Sequence, residues 1–261
     1  VIDEGFRKAF SKLIKLILNS TDQKKINQIK LNEIKGMIES FSIKEEKFIN
    51  EIYYVNLGVS FNRKKIFNYL EIKNVFPSVP QKKQILFVPI IIDENKKELL
   101  VFSKNKVFKE WNNYVNDFHL LEYILPTEDL EDLALIKDQF DLIEEYDFKE
   151  IVNKYNLSDS IISLIFKTAN ELRVLSKINI QNNLIIKNQS FVDLDIENDL
   201  QLEKVISELK IIYEDYWKSS NQINTSIRLS LNIKVSNKDS LKISDFEKKM
   251  NDIDLIYDFF I

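Results

Sequence analysis

The chain has no cysteine, which removes disulfides, thiolate metal sites and cysteine nucleophiles together. It has one histidine, His119, so an imidazole metal centre stops at one ligand and a histidine-based triad can run only through this residue. Glycine occurs three times, at Gly5, Gly36 and Gly58. None of them frames a serine elbow or a phosphate-cradling loop, both of which use glycine for close backbone approach and positive φ. No apolar run approaches the roughly 18 to 20 residues of a membrane-spanning helix. An excess of one charge is also missing: 37 basic and 41 acidic residues give a net charge of -4. Because the two signs are mixed along the chain, no extended basic field follows a phosphate backbone, and nucleic acid is not an expected partner.

What is present is a globular composition over 261 residues, 44% apolar and 30% charged, with 18 phenylalanines and 10 tyrosines. That length allows two domains or three small ones. The densest apolar run is Gln84 to Ile92, QILFVPIII, whose β-branched content reads as a buried central strand. Pro89 qualifies it, because proline cannot donate to a ladder: either the strand breaks or bulges there, or one side of it is unpaired.

Helical spacing of Phe6, Phe10, Leu13 and Ile17 predicts a helix from about Asp3 to Leu18, followed by a weaker helical stretch from Ile26 to Ile38. A strand over Phe41 to Phe48, a turn at Ile49 to Glu51 and a half-buried strand over Tyr53 to Phe61 read as a hairpin. Asn62 is placed to cap a helix carrying Ile66, Phe67 and Leu70. The prolines Pro77 and Pro80 mark a linker.

Beyond the run at Gln84, strands are expected at Glu98 to Phe102, Leu120 to Leu125, Ile161 to Phe166, Leu172 to Ile180 and Leu184 to Val192. Between them come short helices after Val107, Thr127 and Asp147, with Thr127 as one cap and Asp147 and Glu150 as a capping box. Arg173, Lys177 and Asn179 are expected to face away from the core face of their strand, toward solvent or a partner. A long amphipathic helix carries Leu202, Val205, Ile206, Leu209, Tyr213 and Trp217. Alternation from Ile227 to Val235 predicts a strand, Ser244 with Glu247 a capping box for a short helix, and Ile253 to Ile261 a last strand. The sum is an α+β fold of two or three small units, with helices packed on mostly antiparallel or mixed sheets. The units are 1–76, a central 82–220 beginning with the strand at 84–92, and 224–261, whose apolar ending suggests a continuation.

Candidates for chemistry are few. His119 has only Asp117 and Glu122 as local acidic neighbours. The carboxylates Asp193, Asp195, Glu197 and Asp199 read as a solvated strand end with a helix cap at Asp199, the alternative being a hard cation held by Asp193, Asp195 and Glu197 on one strand face, and Glu128, Asp129, Glu131 and Asp132 form a second acidic group. Arg173 stands out because only Arg7, Arg63 and Arg228 accompany it in a lysine-rich chain, which suits a planar ion pair. Tyr213, Tyr216 and Trp217 at helical spacing read as core. No catalytic, cofactor-binding or metal-binding residue is assigned.

The segments EGFRKAFSKLI and YYVNLGVSFNRKKIFNYL, the Pro77–Pro80 joint and the strand ILFVPIII resemble the bacterial family catalogued as domain of unknown function 2066. The matching positions are Ala9, Phe61, Leu70 and Ile85 to Ile92, and the likeness runs on through Trp217. The tryptophan usual before the apolar strand is replaced by Phe76, and the family's glycine-rich segments are missing. The part from Ile85 onward looks like the N-terminal domain of TolB-type translocation proteins. The resemblance implies an exported, periplasmic protein with a leader upstream of Val1 and no known activity. The expected function is a non-catalytic module that binds a protein or envelope component. The competing expectation is a hydrolase using His119 or carboxylates in an interdomain cleft. No cofactor is expected, and oligomeric state is left open.

Overall fold

Asp3, Glu4 and the inward spacing of Phe6, Phe10, Ile14 and Ile17 make α1 (Ile2–Ile17), the helix that organises the first part of the computed structural model. Residues 1–224, 230, 232, 234 and 240–253 are described. They fall into two units, Val1–Val79 with Gln222–Ile261, and Pro80–Asn221. The C-terminal segment, set apart at 224–261 by its sequence, is thus grouped with the N-terminal unit.

In the first unit the weak helical stretch resolves into α2 (Ser20–Ile26) and α3 (Leu31–Met37). Asn19 starts α2 by accepting the Asp22 N–H at 2.8 Å, the usual way to satisfy an orphan amide of the first turn. The hairpin β1 (Ile38–Ile49) and β2 (Ile52–Phe61) follows, joined through Asn50 and Glu51, both at positive φ. Two such residues match the twist of a two-residue hairpin loop. Phe6 meets Phe41 edge-on at 5.2 Å and Phe10 meets Phe61 at 6.0 Å, so α1 covers the base of the hairpin. Gly5 is the closest approach, since a Cβ there would run into Leu57 Cδ1. Asn62 caps α4 (Arg63–Ile72) as the sequence predicts, accepting the Lys65 N–H at 3.0 Å, with Ile66, Phe67 and Leu70 buried. Ser78 donates to the Ile17 carbonyl from both its N–H and its hydroxyl, and Ile223 donates to Pro77.

The second unit is built on a mixed sheet in the order β4-β3-β6-β7-β8, with β5 also paired to β3. Here β3 is Lys83–Asp93, β4 Glu98–Leu100, β5 Leu121–Ile124, β6 Ser160–Lys167, β7 Glu171–Ile180 and β8 Asn183–Val192. Between β4 and β5 lies α5 (Lys106–Glu110); α6 (Leu130–Asp138) and α7 (Lys149–Asn153) precede β6, and α8 (Asp199–Ser220) follows β8. A last helix, α9 (Ser240–Asp252), belongs to the first unit.

The alternatives posed by Pro89 resolve cleanly. Parallel pairing with β6 runs without a break from Leu86 to Asp93, with Pro89 opposite Ser163. On the other side β5 pairs Lys83 to Leu86 and β4 pairs Ile91 to Asp93, leaving a gap where Pro89 sits. The missing N–H points into that gap, and the Asn105 amide fills it by donating to the Pro89 carbonyl at 3.0 Å.

Both faces of the central strands β3, β6 and β7 are covered. Leu86, Val88, Ile90, Ile162, Leu164 and Leu175 pack with Ile136, Phe148 and Ile151 from the α6–α7 side. On the opposite face Phe87 stacks on Trp111 at 3.8 Å, and the Tyr213 hydroxyl of α8 reaches Ser163 and Ser176. Arg173 and Lys177 therefore do not point at open solvent: Arg173 lies over Phe166 at 4.0 Å and pairs with Glu144, while Lys177 donates to the Tyr146 carbonyl. Alternation alone exposes one face of a strand; the α6–α7 layer covers it.

Several helix starts shift. Asp129, not Thr127, caps α6, because its carboxylate reaches the Glu131 N–H while Thr127 donates to the Tyr155 hydroxyl. Asn198, one residue before Asp199, caps α8. Asp147 accepts the Lys149 N–H, but Phe148 in a left-handed conformation occupies the N-cap of α7. Ser244 falls inside α9 rather than at its start. The strand from Ile227 to Val235 lies outside the described residues apart from Ser230, Asn232 and Lys234, and that from Ile253 to Ile261 lies outside them apart from Ile253.

Candidate functional site

A cleft of about 410 Å³ opens between the β4 end of the sheet and α6. It forms because β4 is only three residues long and the chain leaves it through a tight 3-10 turn at Phe102–Lys104. Phe102 holds φ at 50° and is buried, an unfavourable conformation for a bulky side chain that its packing must offset. The Ser103 N–H donates to Glu128 at 2.9 Å, tying the turn to the segment that leads into α6. The floor is apolar, from Leu99, Val101, Phe102, Leu133 and Phe140, and Lys97, Lys104 and Lys137 stand around it with Glu98 and Glu128. None of those three ammonium groups has an ion-pair partner among the described residues. An apolar floor with a few polar groups around it is the ordinary make-up of a binding cleft, and the size is near the small end of that class.

A second concentration of polar groups is buried, not open. Lys210, Glu214 and Lys218 recur every four residues on α8, and each is less than 5% exposed. Glu214 accepts the backbone N–H groups of Leu120 and Leu121, at 2.9 and 2.8 Å. Lys210 donates to the Tyr114 carbonyl at 2.7 Å and lies 5.2 Å above the Trp111 ring and 5.3 Å above that of Tyr123. Burial lowers the Lys210 ammonium to a pKa of about 8, against the pull of Glu214. Trp111 Nε1 and the Tyr123 hydroxyl have no partner in this region.

His119 borders the same region. Its Nδ1 accepts the Asn116 N–H at 3.3 Å, and burial, with Lys210 and Lys218 nearby, lowers its pKa to about 4. A lowered folded-state value makes the unfolded chain the better proton acceptor between about pH 4 and 6.5, so stability falls as pH drops through that window. After discounting for solvent screening at this half-exposed ring, the contribution is about 1 to 2 kcal/mol. The urea midpoint of His119→Gln is therefore expected to change less between pH 7 and pH 5 than that of the parent chain; equal changes would remove His119 as the cause.

The residues singled out by sequence do not converge. Neither His119 nor Arg173 lines the cleft, and Glu122 pairs with Lys82. Asp195 accepts the Glu197 N–H, Glu197 pairs with Lys167 and Asp199 with Lys106. Of the other acidic group, Asp129, Glu131 and Asp132 all face Lys154, and its hydrogen bonds to Asp132 and Asp129 hold the ammonium well above the ordinary lysine range. Among the described residues no group of three His, Cys, Asp or Glu side chains can hold a metal ion. The cleft lysines were illegible because a lysine-rich sequence hides three more lysines. The buried row had a signal: Lys210, Glu214 and Lys218 share the helical phase of Tyr213 and Trp217. No protein-family model matches the chain, and no curated protein matches it.

Proposed function

We propose that this chain is a non-catalytic binding module of the bacterial envelope, acting in the periplasm, and that the cleft beside β4 receives an acidic, partly apolar segment of a protein partner. The observation that carries this is the set of unpaired lysines, Lys97, Lys104 and Lys137, around an apolar floor. Exposed ammonium groups without internal ion-pair partners favour an incoming carboxylate over a basic or neutral segment. The envelope setting is proposed from the sequence resemblance to the family of unknown function 2066 alone. Among the described residues no helix is long and apolar enough to cross a membrane.

The test has two arms. Crosslinking and capture from the envelope of the source cells identifies the partner, and a labelled acidic peptide titrated against the purified chain reads the cleft directly. Reversing all three lysines to glutamate is expected to weaken peptide binding by about 100-fold, near 1 kcal/mol for each charge. Raising salt is expected to weaken the parent's binding in the same direction. Binding unchanged by the triple reversal would overturn this use of the cleft, and recovery of the chain in the cytoplasmic fraction would overturn the setting.

A further inference from the structure

The open edges of this protein are not protected alike. β4 and β5 are three and four residues long, too short to template another strand. The hairpin edge at β1 carries Lys44, Glu45, Glu46 and Lys47 and two register irregularities. β8 has none of these devices. It runs ten residues, contains no proline or glycine, carries Lys187 as its one charge, and pairs with β7 in unbroken register. Among the described residues no strand lies on its other edge. Leu184, Ile186 and Val192, all on one face, are 62%, 58% and 67% exposed.

The strand is also complementary to itself. Placed antiparallel to a second copy with the two-fold axis at Asn188, it sets Leu184 opposite Val192, Ile185 opposite Phe191 and Ile186 opposite Ser190. Lys187 then faces Gln189. Apolar ends meet apolar ends, and the two lysines sit diagonally, not directly opposite each other. Moving the axis to Lys187 puts the two lysines in direct opposition; moving it to Gln189 puts each lysine against Phe191. Cross-strand pairs of this kind set register, and like charges directly opposed are unfavourable. We propose that two copies of this chain associate edge to edge through β8 in the Asn188-centred register, making one continuous sheet by an isologous contact. This surface is separate from the cleft beside β4, so the two proposals stand or fall independently.

A strand pair buries little area, which places the contact at the weak end of specific interfaces, with a dissociation constant on the order of 10 µM. Sedimentation velocity of the full chain over a concentration series around that value reads it. The parent is expected to dimerise as concentration rises. Asn188→Glu and Asn188→Lys each bring like charges together at the axis and are expected to raise the dissociation constant at least about tenfold. An equal mixture of the two variants is expected to restore dimerisation to the parent's level, because the axis then pairs Glu with Lys. Hydrogen exchange of the parent supplies a second readout that needs no variant: protection of β8 amides should increase with concentration. A parent that stays monomeric with unchanged β8 protection would overturn the proposal. Variants that dimerise like the parent, or a mixture that does not recover, would overturn the edge or the register.

Discussion

Glu214→Ala is expected to destabilise the Pro80–Asn221 unit by about 3 to 5 kcal/mol, the range for removing one member of a buried, hydrogen-bonded charge pair. The side chain is 3% exposed and does two jobs. It accepts the Leu120 and Leu121 N–H groups at the entrance to β5, and it lies 4.0 Å from the Lys218 ammonium on the same helix. Alanine leaves two amides without their acceptor and withdraws a carboxylate from between two buried lysines. The measurement is thermal or urea unfolding, with the melting temperature of this unit expected to fall on the order of 10 °C. A second variant separates the two jobs. Replacing the pair with Glu214→Leu and Lys218→Met removes the ionic component without restoring an acceptor, so most of the loss should remain if the backbone amides dominate. Recovery to near parental stability in the double variant would instead show that the ion pair was the main contributor.

That row illustrates what was and was not legible in the sequence. The length and apolar periodicity of α8 sufficed to place the helix, because Leu202, Val205, Ile206, Leu209, Tyr213 and Trp217 keep one phase over about four turns. Hairpin β1–β2 and its following cap at Asn62 were equally readable, since alternation and an Asx cap are local signals. Helix starts such as that of α6 were less so: Thr127 and Asp129 are both competent caps, and the choice is made by Tyr155 and Lys154 from elsewhere in the chain. The second layer over Arg173 and Lys177 was hidden for a related reason. A polar residue on a strand reads as solvent-facing, yet here long side chains lie across Phe166 and Phe148 and place their charged ends at Glu144 and the Tyr146 carbonyl, as amphipathic cations do. The cleft depends on where a three-residue strand stops and α6 begins, a tertiary fact without a periodic signature.

Asn105→Ala is expected to cost about 2 to 4 kcal/mol, because this fully buried amide substitutes for the strand that Pro89 keeps away. Its Nδ2 donates to the Pro89 carbonyl at 3.0 Å and to that of Leu100 at 3.3 Å, while its Oδ1 accepts the Phe108 N–H and caps α5. Alanine removes a cap, worth roughly 1 kcal/mol, and leaves the Pro89 carbonyl without a donor in the gap between β5 and β4. Asn105→Asp distinguishes the two contributions. It keeps the cap but turns a carboxylate toward two carbonyl oxygens, so at pH 7 it should be at least as damaging as alanine despite its size. The buried acid will bind a proton more readily in the folded chain than in the unfolded one, and protonation restores one donor. Its deficit relative to the parent should therefore shrink as pH falls from 7 toward 4, whereas that of Asn105→Ala should stay nearly constant. Parallel urea titrations of the parent and both variants at the two pH values read the difference. If the aspartate variant loses nothing at pH 7, the Pro89 carbonyl does not depend on Asn105, and the gap in the β3 ladder must be closed by another group.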